Sequence, residues 1–136
     1  MQVKDLDGNI YHWKLIGGIS NSYNEQKSSY HLLARQLIRD CFSTLQVLEE
    51  IPIHIRKTEI LFLDFYLPLN KKCIEVHGEQ HYAFSRFYHK DKMGFLRHKK
   101  RDKDKQEWCN INKIEYIELP YNESLQEWKK RILNEY

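Results

Sequence analysis

Long apolar runs are missing from this chain of 136 residues. No stretch reaches about 18 consecutive apolar residues, so no membrane span and no membrane partner is expected. The opening residues, Met1 to Gly8, carry no apolar signal region, and a cytoplasmic location is the expectation. Cysteine is scarce. Cys41, Cys73 and Cys109 are odd in number, widely spaced and set among apolar neighbours. That excludes a disulfide framework and reads as buried free thiols in a reducing compartment. Internal repeats and low-complexity segments are absent as well, which excludes a solenoid or a tail-like protein.

What remains is the composition of a folded, very polar domain. Apolar residues make up 41%, aromatics 13% and charged residues 30%, with a mean hydropathy of −0.73. A single domain of this length buries roughly two thirds of its unfolded surface. Net charge is only +3, but it is unevenly spread. Residues 86–105 hold nine Lys or Arg against three Asp, so this stretch carries +6 and the remainder −3. A basic run is commonly a solvated helix face; one that follows directly on a carboxylate pair points instead to a polyanion partner.

Along the chain, Val3–Leu6 and Ile10–Leu15 read as a short hairpin around Asp7, Gly8 and Asn9. A polar linker closes this N-terminal part (residues 1–27), and residues 28–136 form the main body. Ser28 or Ser29 caps a helix running to about Phe42, with Leu32, Leu33, Leu37, Ile38 and Cys41 as its buried stripe. Val47 to Arg56, Leu61–Leu67 and Lys72–His77 read as three strands. An aromatic-basic loop, Tyr82 to Met93, leads into a basic helix over about 94–110, then a strand over 114–119. Ser124 caps a last helix, Leu125–Leu133. The expected fold is a mixed α/β sheet flanked by helices, with a β-hairpin at the N-terminus.

The chemistry gathers around the second and third main strands. Alternation puts Leu63, Phe65 and Leu67 on one face, and Phe62, Asp64 and Tyr66 on the other. Beyond the turn Pro68–Lys71, Ile74 and Val76 point inward, leaving Cys73, Glu75 and His77 opposite. A hairpin centred between Leu69 and Asn70 sets Asp64 directly across from Glu75, with Cβ atoms roughly 4.5–5.5 Å apart. Like charges so placed are destabilising unless they share a proton or hold a hard cation. His77, Gly78, Glu79, Gln80 and His81 follow. Two histidines four residues apart could hold zinc, but no Cys pair or third ligand lies nearby.

Divalent-metal phosphodiester hydrolysis needs carboxylates to hold the ion, a group to activate water and positive charge for the transition state. Asp64 and Glu75 supply the first, His81 or His77 the second, and Arg101, Lys103 and Lys105 the third. Asp102 shares a helix face with Lys105, Gln106 and Cys109 by its spacing of three, four and seven, so it is expected to look inward at the sheet, where it either pairs with Lys105, orients His81 or helps hold the metal. Gln80 and Glu79 either lie beside the site or face a phosphate. Phe84, Arg86, Phe87, Tyr88, Lys90 and Lys92 interleave rings and charges, as a nucleic-acid-contacting loop does, and Arg97, Lys99, Lys100, Arg101 and Lys103 extend that surface.

Asp64, then Glu75 to His81, then Arg101 to Lys105, Trp108 and Ile114 to Pro120 together resemble the PD-(D/E)XK restriction-endonuclease-like superfamily. The order Asp64, Gly78-x-x-His81, Arg101-Asp102 is similar to its very-short-patch repair branch, which includes phage-encoded and homing-type relatives. The resemblance covers about 28–123. It implies Mg²⁺-dependent (or Mn²⁺-dependent) cleavage or nicking of DNA. It also implies Asp64 as metal-binding Asp, His81 as catalytic His, Asp102 as second acid, and the 84–88 loop as a wedge into the duplex. The branch's first-helix Glu falls at about His31 here, leaving that role unfilled or moved to Glu49 or Glu50. The superfamily's Glu-x-Lys lysine is replaced by His77, and the branch's structural zinc site has no counterpart.

The function expected is thus a metal-dependent DNA endonuclease of phage type. The alternatives are a non-catalytic nucleic-acid-binding protein on the same fold, or an RNA nuclease. With little room for a separate recognition domain, weak sequence specificity or targeting by a protein partner is expected.

Overall fold

The computed structural model describes residues 1–15, 29–78 and 92–134. Its elements in order are β1 (Gln2–Lys4), β2 (Ile10–His12), α1 (Ser29–Cys41), β3 (Leu48–Arg56), β4 (Glu59–Leu67), β5 (Lys72–His77), α2 (Lys92–Ile111), β6 (Glu115–Pro120) and α3 (Leu125–Leu133). β1 and β2 pair as a two-stranded hairpin, and β3-β4-β5-β6 form a four-stranded sheet in that order. The β3–β4 and β4–β5 pairs are antiparallel, while β5 and β6 are parallel, joined through α2. The fold is the mixed α/β sheet with an N-terminal hairpin that the sequence led us to expect.

Each face of the sheet has its own core. On one, α1 and α3 bury Ala34, Ile38, Trp128 and Ile132 against Phe65, Leu67, Ile74, Val76, Ile117 and Leu119. On the other, α2 and the hairpin bury Trp108, Cys109, Val3 and Trp13 against Leu48, Ile51, Ile53, Leu63, Tyr66 and Cys73. Burying a large aliphatic or aromatic side chain contributes about 1.5–3 kcal/mol, so these two clusters are the main source of stability. The hairpin is anchored beyond packing: Leu6 N–H donates to the Ile55 carbonyl at 2.9 Å, and the Asn112 side chain bonds both backbone groups of Lys4. Ser124 and Glu127 form a reciprocal capping box at the start of α3.

Several expectations are corrected. Leu63 does not share a face with Phe65 and Leu67; it joins the Tyr66 core, while the other two join the α1–α3 core. The alternation slips where Glu50 takes a left-handed backbone, φ 53°, inside β3. The pair Glu50 and Asp64 drops out of the ladder at that point, and its register shifts once more between His54 and Arg56. In α1, Leu32 and Leu33 are each 46% exposed, and the buried stripe is His31, Ala34 and Ile38, with Leu37 and Cys41 partly covered. Spacings of three and four place these on one side of the helix, and a histidine sits on it. α2 starts at Lys92, two residues before the expected boundary, and its inward acid is Asp104, bonded to Arg56 at 3.2 Å.

Candidate active site

The β4–β5 register pairs Phe65 with Ile74, Tyr66 with Cys73 and Leu67 with Lys72. Continuing it by one residue sets Asp64 opposite Glu75, as the turn-centred count implies. The ladder itself stops there, because side chains take over its hydrogen bonds. Asp64 N–H donates to Glu75 Oε2 at 2.7 Å, and Val76 N–H donates to Asp64 Oδ2 at 2.9 Å. Each carboxylate thus caps the backbone of the opposite strand, which holds both rigidly.

Glu75 is 1% exposed, and its Oε1 lies 2.8 Å from Lys105 Nζ, reaching across from α2. A buried carboxylate needs such a partner. Lys105 keeps its proton firmly: burial opposes the charge, but the nearby Glu75 and Asp64 outweigh it and raise its pKa. Asp64 moves the other way for a carboxylate. Burial and then the charge of Glu75 push its pKa up to about 7, against the opposing pull of Lys105 and the Val76 N–H.

His31 and Glu50 complete this centre. Together with Asp64 they offer one ligand atom each, all within 4.8 Å of one another. His31 is stacked on Phe65 with ring centroids 4.5 Å apart, and its Nε2 meets Glu49 Oε1 at 2.7 Å. Glu49 is held in turn by Arg35 through its Nε and Nη2 at 3.0 Å. Among the described residues this is the one His/Cys/Asp/Glu group with metal-holding geometry. Carboxylate oxygens suit Mg²⁺ or Mn²⁺, and an imidazole nitrogen among them favours Mn²⁺ over Mg²⁺. The donor set fits a divalent cation.

A second polar cluster adjoins the first. His77, two residues beyond Glu75 on the same face, bonds Glu118 Oε1 through Nδ1 at 2.6 Å and Tyr116 Oη through Nε2 at 3.1 Å. A carboxylate only accepts, so Nδ1 donates to Glu118, and Nε2 shares the second bond with the Tyr116 hydroxyl. Burial first, and the charge of Glu75 next, push the Tyr116 phenol pKa far up, so it stays a donor. This chain fixes the ring of His77.

Asp102 is not in the group that gathers around Asp64. It lines a cleft with His77, Tyr116 and Glu118. Lys92, Arg97, Lys99, Lys100, Arg101 and Lys103 are all exposed along α2. Gln80, His81, Phe84, Arg86, Phe87, Tyr88 and Lys90 lie outside the described residues. The sequence reading did not single out Tyr116 and Glu118. Their signal was the alternation along β6, which became usable only with the parallel register, Cys73 to Tyr116 and Glu75 to Glu118.

No family model matches the chain, and no solved structure matches it. Two curated relatives do. "Uncharacterized protein 307L" of Invertebrate iridescent virus 6 is 41% identical over 61 residues, which is 45% of this chain and 31% of that protein. "Uncharacterized protein 033L" of Invertebrate iridescent virus 3 is 34% identical over 67 residues, 49% of this chain and 34% of the relative. The matched segment therefore spans about a third of each relative's length, and neither name carries an activity. Among the described residues no helix is long and apolar enough to cross a membrane.

Proposed function

We propose that this chain is a divalent-metal-dependent nuclease of the restriction-endonuclease-like kind, hydrolysing phosphodiester bonds in DNA. One observation carries the reading. Asp64, whose carboxyl is destabilised by burial and by Glu75, converges with Glu50 and His31, while Lys105 secures Glu75 beside it. A fold maintains opposed carboxylates in this state when a cation relieves them.

Asp64, Glu50 and His31 would hold the ion, and Glu49 with Arg35 would keep the His31 ring oriented. When bound, a divalent cation polarises the scissile phosphate and lowers the pKa of an attacking water. Lys105 adds a fixed positive charge where negative charge develops on the phosphate. The exposed cations of α2 neutralise flanking phosphates and position the backbone without reading sequence. His81 as proton-transfer group and the 84–88 loop as wedge belong to the same proposal, as do weak specificity or a targeting partner. The iridescent-virus relatives are compatible with a viral setting.

The test is incubation with supercoiled plasmid in Mg²⁺ or Mn²⁺, beside EDTA and an Asp64→Asn control. Nicking that needs the metal and vanishes in the variant is the expected result. A salt-sensitive gel shift without cleavage of duplex, single-stranded DNA or RNA under any metal would replace this reading with the binding-protein alternative.

A further inference from the structure

The cleft between α2, the ends of β5 and β6, and α3 takes no part in the acid centre. Its volume is about 380 Å³, inside the range of roughly 300–1,000 Å³ typical of small-ligand sites. It runs beside the parallel pair β5–β6, from Tyr116 near the start of β6 to His77 at the end of β5. Its floor is the fixed His77–Glu118–Tyr116 chain described above.

The groups above that floor are of two kinds. Lys99 and Lys103 from α2 bring positive charge to the rim, while Arg131 from α3 is paired with Glu123 through both ends of its guanidinium. Gln106 brings an amide and Asp102 a carboxylate, the side chains that pair with the edges of bases: amide with adenine, carboxylate with the amino group of cytosine. Phosphate-binding and base-reading groups therefore face one small volume. Position strengthens the case, since His77 is two residues past Glu75, a step of about 6.6 Å along the strand. Charge sets the limit of the site. Past Gln106 and Tyr116 the groove continues into a wider space of about 710 Å³, but there Glu107 and Glu115 outnumber Lys103 and disfavour a further phosphate.

Resting on the nuclease reading above, we propose that this cleft takes a single unstacked nucleotide of the strand being cut, next to the scissile phosphate. Lys99 and Lys103 hold its phosphate and Gln106 reads its base. Unstacking one nucleotide costs a few kcal/mol, least at mismatched or single-stranded positions, so the cleft gives the enzyme a preference for such substrates.

The experiment titrates each of the four deoxynucleoside 5′-monophosphates into the whole protein in EDTA, followed by backbone-amide NMR shifts. At least one nucleotide is expected to saturate shifts at Lys103 and Gln106. Lys103→Ala should weaken it about tenfold, the usual loss for a charge-assisted contact. Gln106→Ala should level the preference among bases, and Asp64→Asn should leave nucleotide binding within about twofold. No saturable shift with any nucleotide overturns the proposal. So does inorganic phosphate binding as tightly as the best nucleotide, or a base preference that survives Gln106→Ala. Nucleotide binding without plasmid nicking would sink the nuclease reading and leave the cleft as a nucleotide site; nicking without nucleotide binding would do the reverse.

Discussion

Asp5, just past β1, and Asp64, within β4, are two carboxylates drawn out of water, and the protein treats them in opposite ways. Asp5 is 1% exposed and receives four donors: the backbone N–H groups of Asp7 and Asn9, the Asn9 amide and the Tyr11 hydroxyl, all at 2.8–2.9 Å. Burial alone would raise its pKa, but those bonds outweigh it and bring it down to about 2. Among the described residues Asp64 accepts one hydrogen bond, from Val76 N–H, so burial and then the facing charge of Glu75 raise its pKa to about 7. The first arrangement ties a turn together and uses every acceptor in doing so. The second leaves a carboxylate in a state that only a proton or a cation relieves. The difference separates a carboxylate that serves the fold from one kept for chemistry.

Removing the ion pair beneath the second carboxylate should give the largest effect. Lys105→Met leaves Glu75 buried without its cation, a loss worth roughly 3–5 kcal/mol for a fully buried pair. Lys105 is 18% exposed, so water can partly replace it and the lower end, about 3 kcal/mol, is expected. Urea unfolding at neutral pH measures it. Adding Glu75→Gln should recover much of the loss, because the stranded charge goes with it. A single-variant loss under about 1 kcal/mol, on the scale of an exposed pair, would mean Lys105 is not what stabilises Glu75.

Asp64→Asn should act in the opposite direction. The folded pKa of Asp64 lies above its unfolded value of 3.8, so the wild type loses stability as pH rises from about 4 to about 7. Asparagine keeps an acceptor for Val76 N–H and never ionises. In EDTA at pH 8 the variant should therefore be more stable, by about 1–3 kcal/mol, with the advantage fading below pH 4. Divalent metal should narrow the gap by stabilising only the wild type. Equal stability of the two proteins across this range in EDTA would remove the contrast with Asp5.

The sequence made one half of this comparison plain and hid the other. Opposition of Asp64 and Glu75 follows from counting outward from Pro68–Lys71, because a tight hairpin fixes register locally. α3 was equally legible, since Ser124 and Glu127 carry their own cap. Glu50 and His31 converge on Asp64 through a left-handed residue within β3 and a helix docked from far along the chain, and neither leaves a local mark. The histidine did fall on the α1 stripe, at three and seven residues from Ala34 and Ile38, but the leucines at 32 and 33 gave a louder hydrophobic signal and drew the stripe to the wrong side. Asp102 was assigned by helical spacing relative to Cys109. Spacing gives the angle around a helix, whereas the height along it decides which strand residue is met, and that height depends on the parallel register.

Asp5→Asn should produce the smallest effect and the most specific one. The folded pKa of Asp5 lies below its unfolded value, so its carboxylate contributes stability above about pH 4 that is lost as pH falls toward 2. Asparagine offers one oxygen for Asp7 and Asn9 N–H but turns an amide toward the Asn9 amide and the Tyr11 hydroxyl, where donors already point. Thermal unfolding at neutral pH should shift down, by less than for Lys105→Met. Tyr11 stacks on His54 with centroids 4.6 Å apart, so the damage should reach the β3 edge through that ring and no further. Amide exchange resolves this: protection should fall for the hairpin and for the edge near Ile55, while Val76, bonded to Asp64, keeps its own. Faster exchange at Val76 in this variant would mean the hairpin supports the acid centre, and the two carboxylates would then belong to one network.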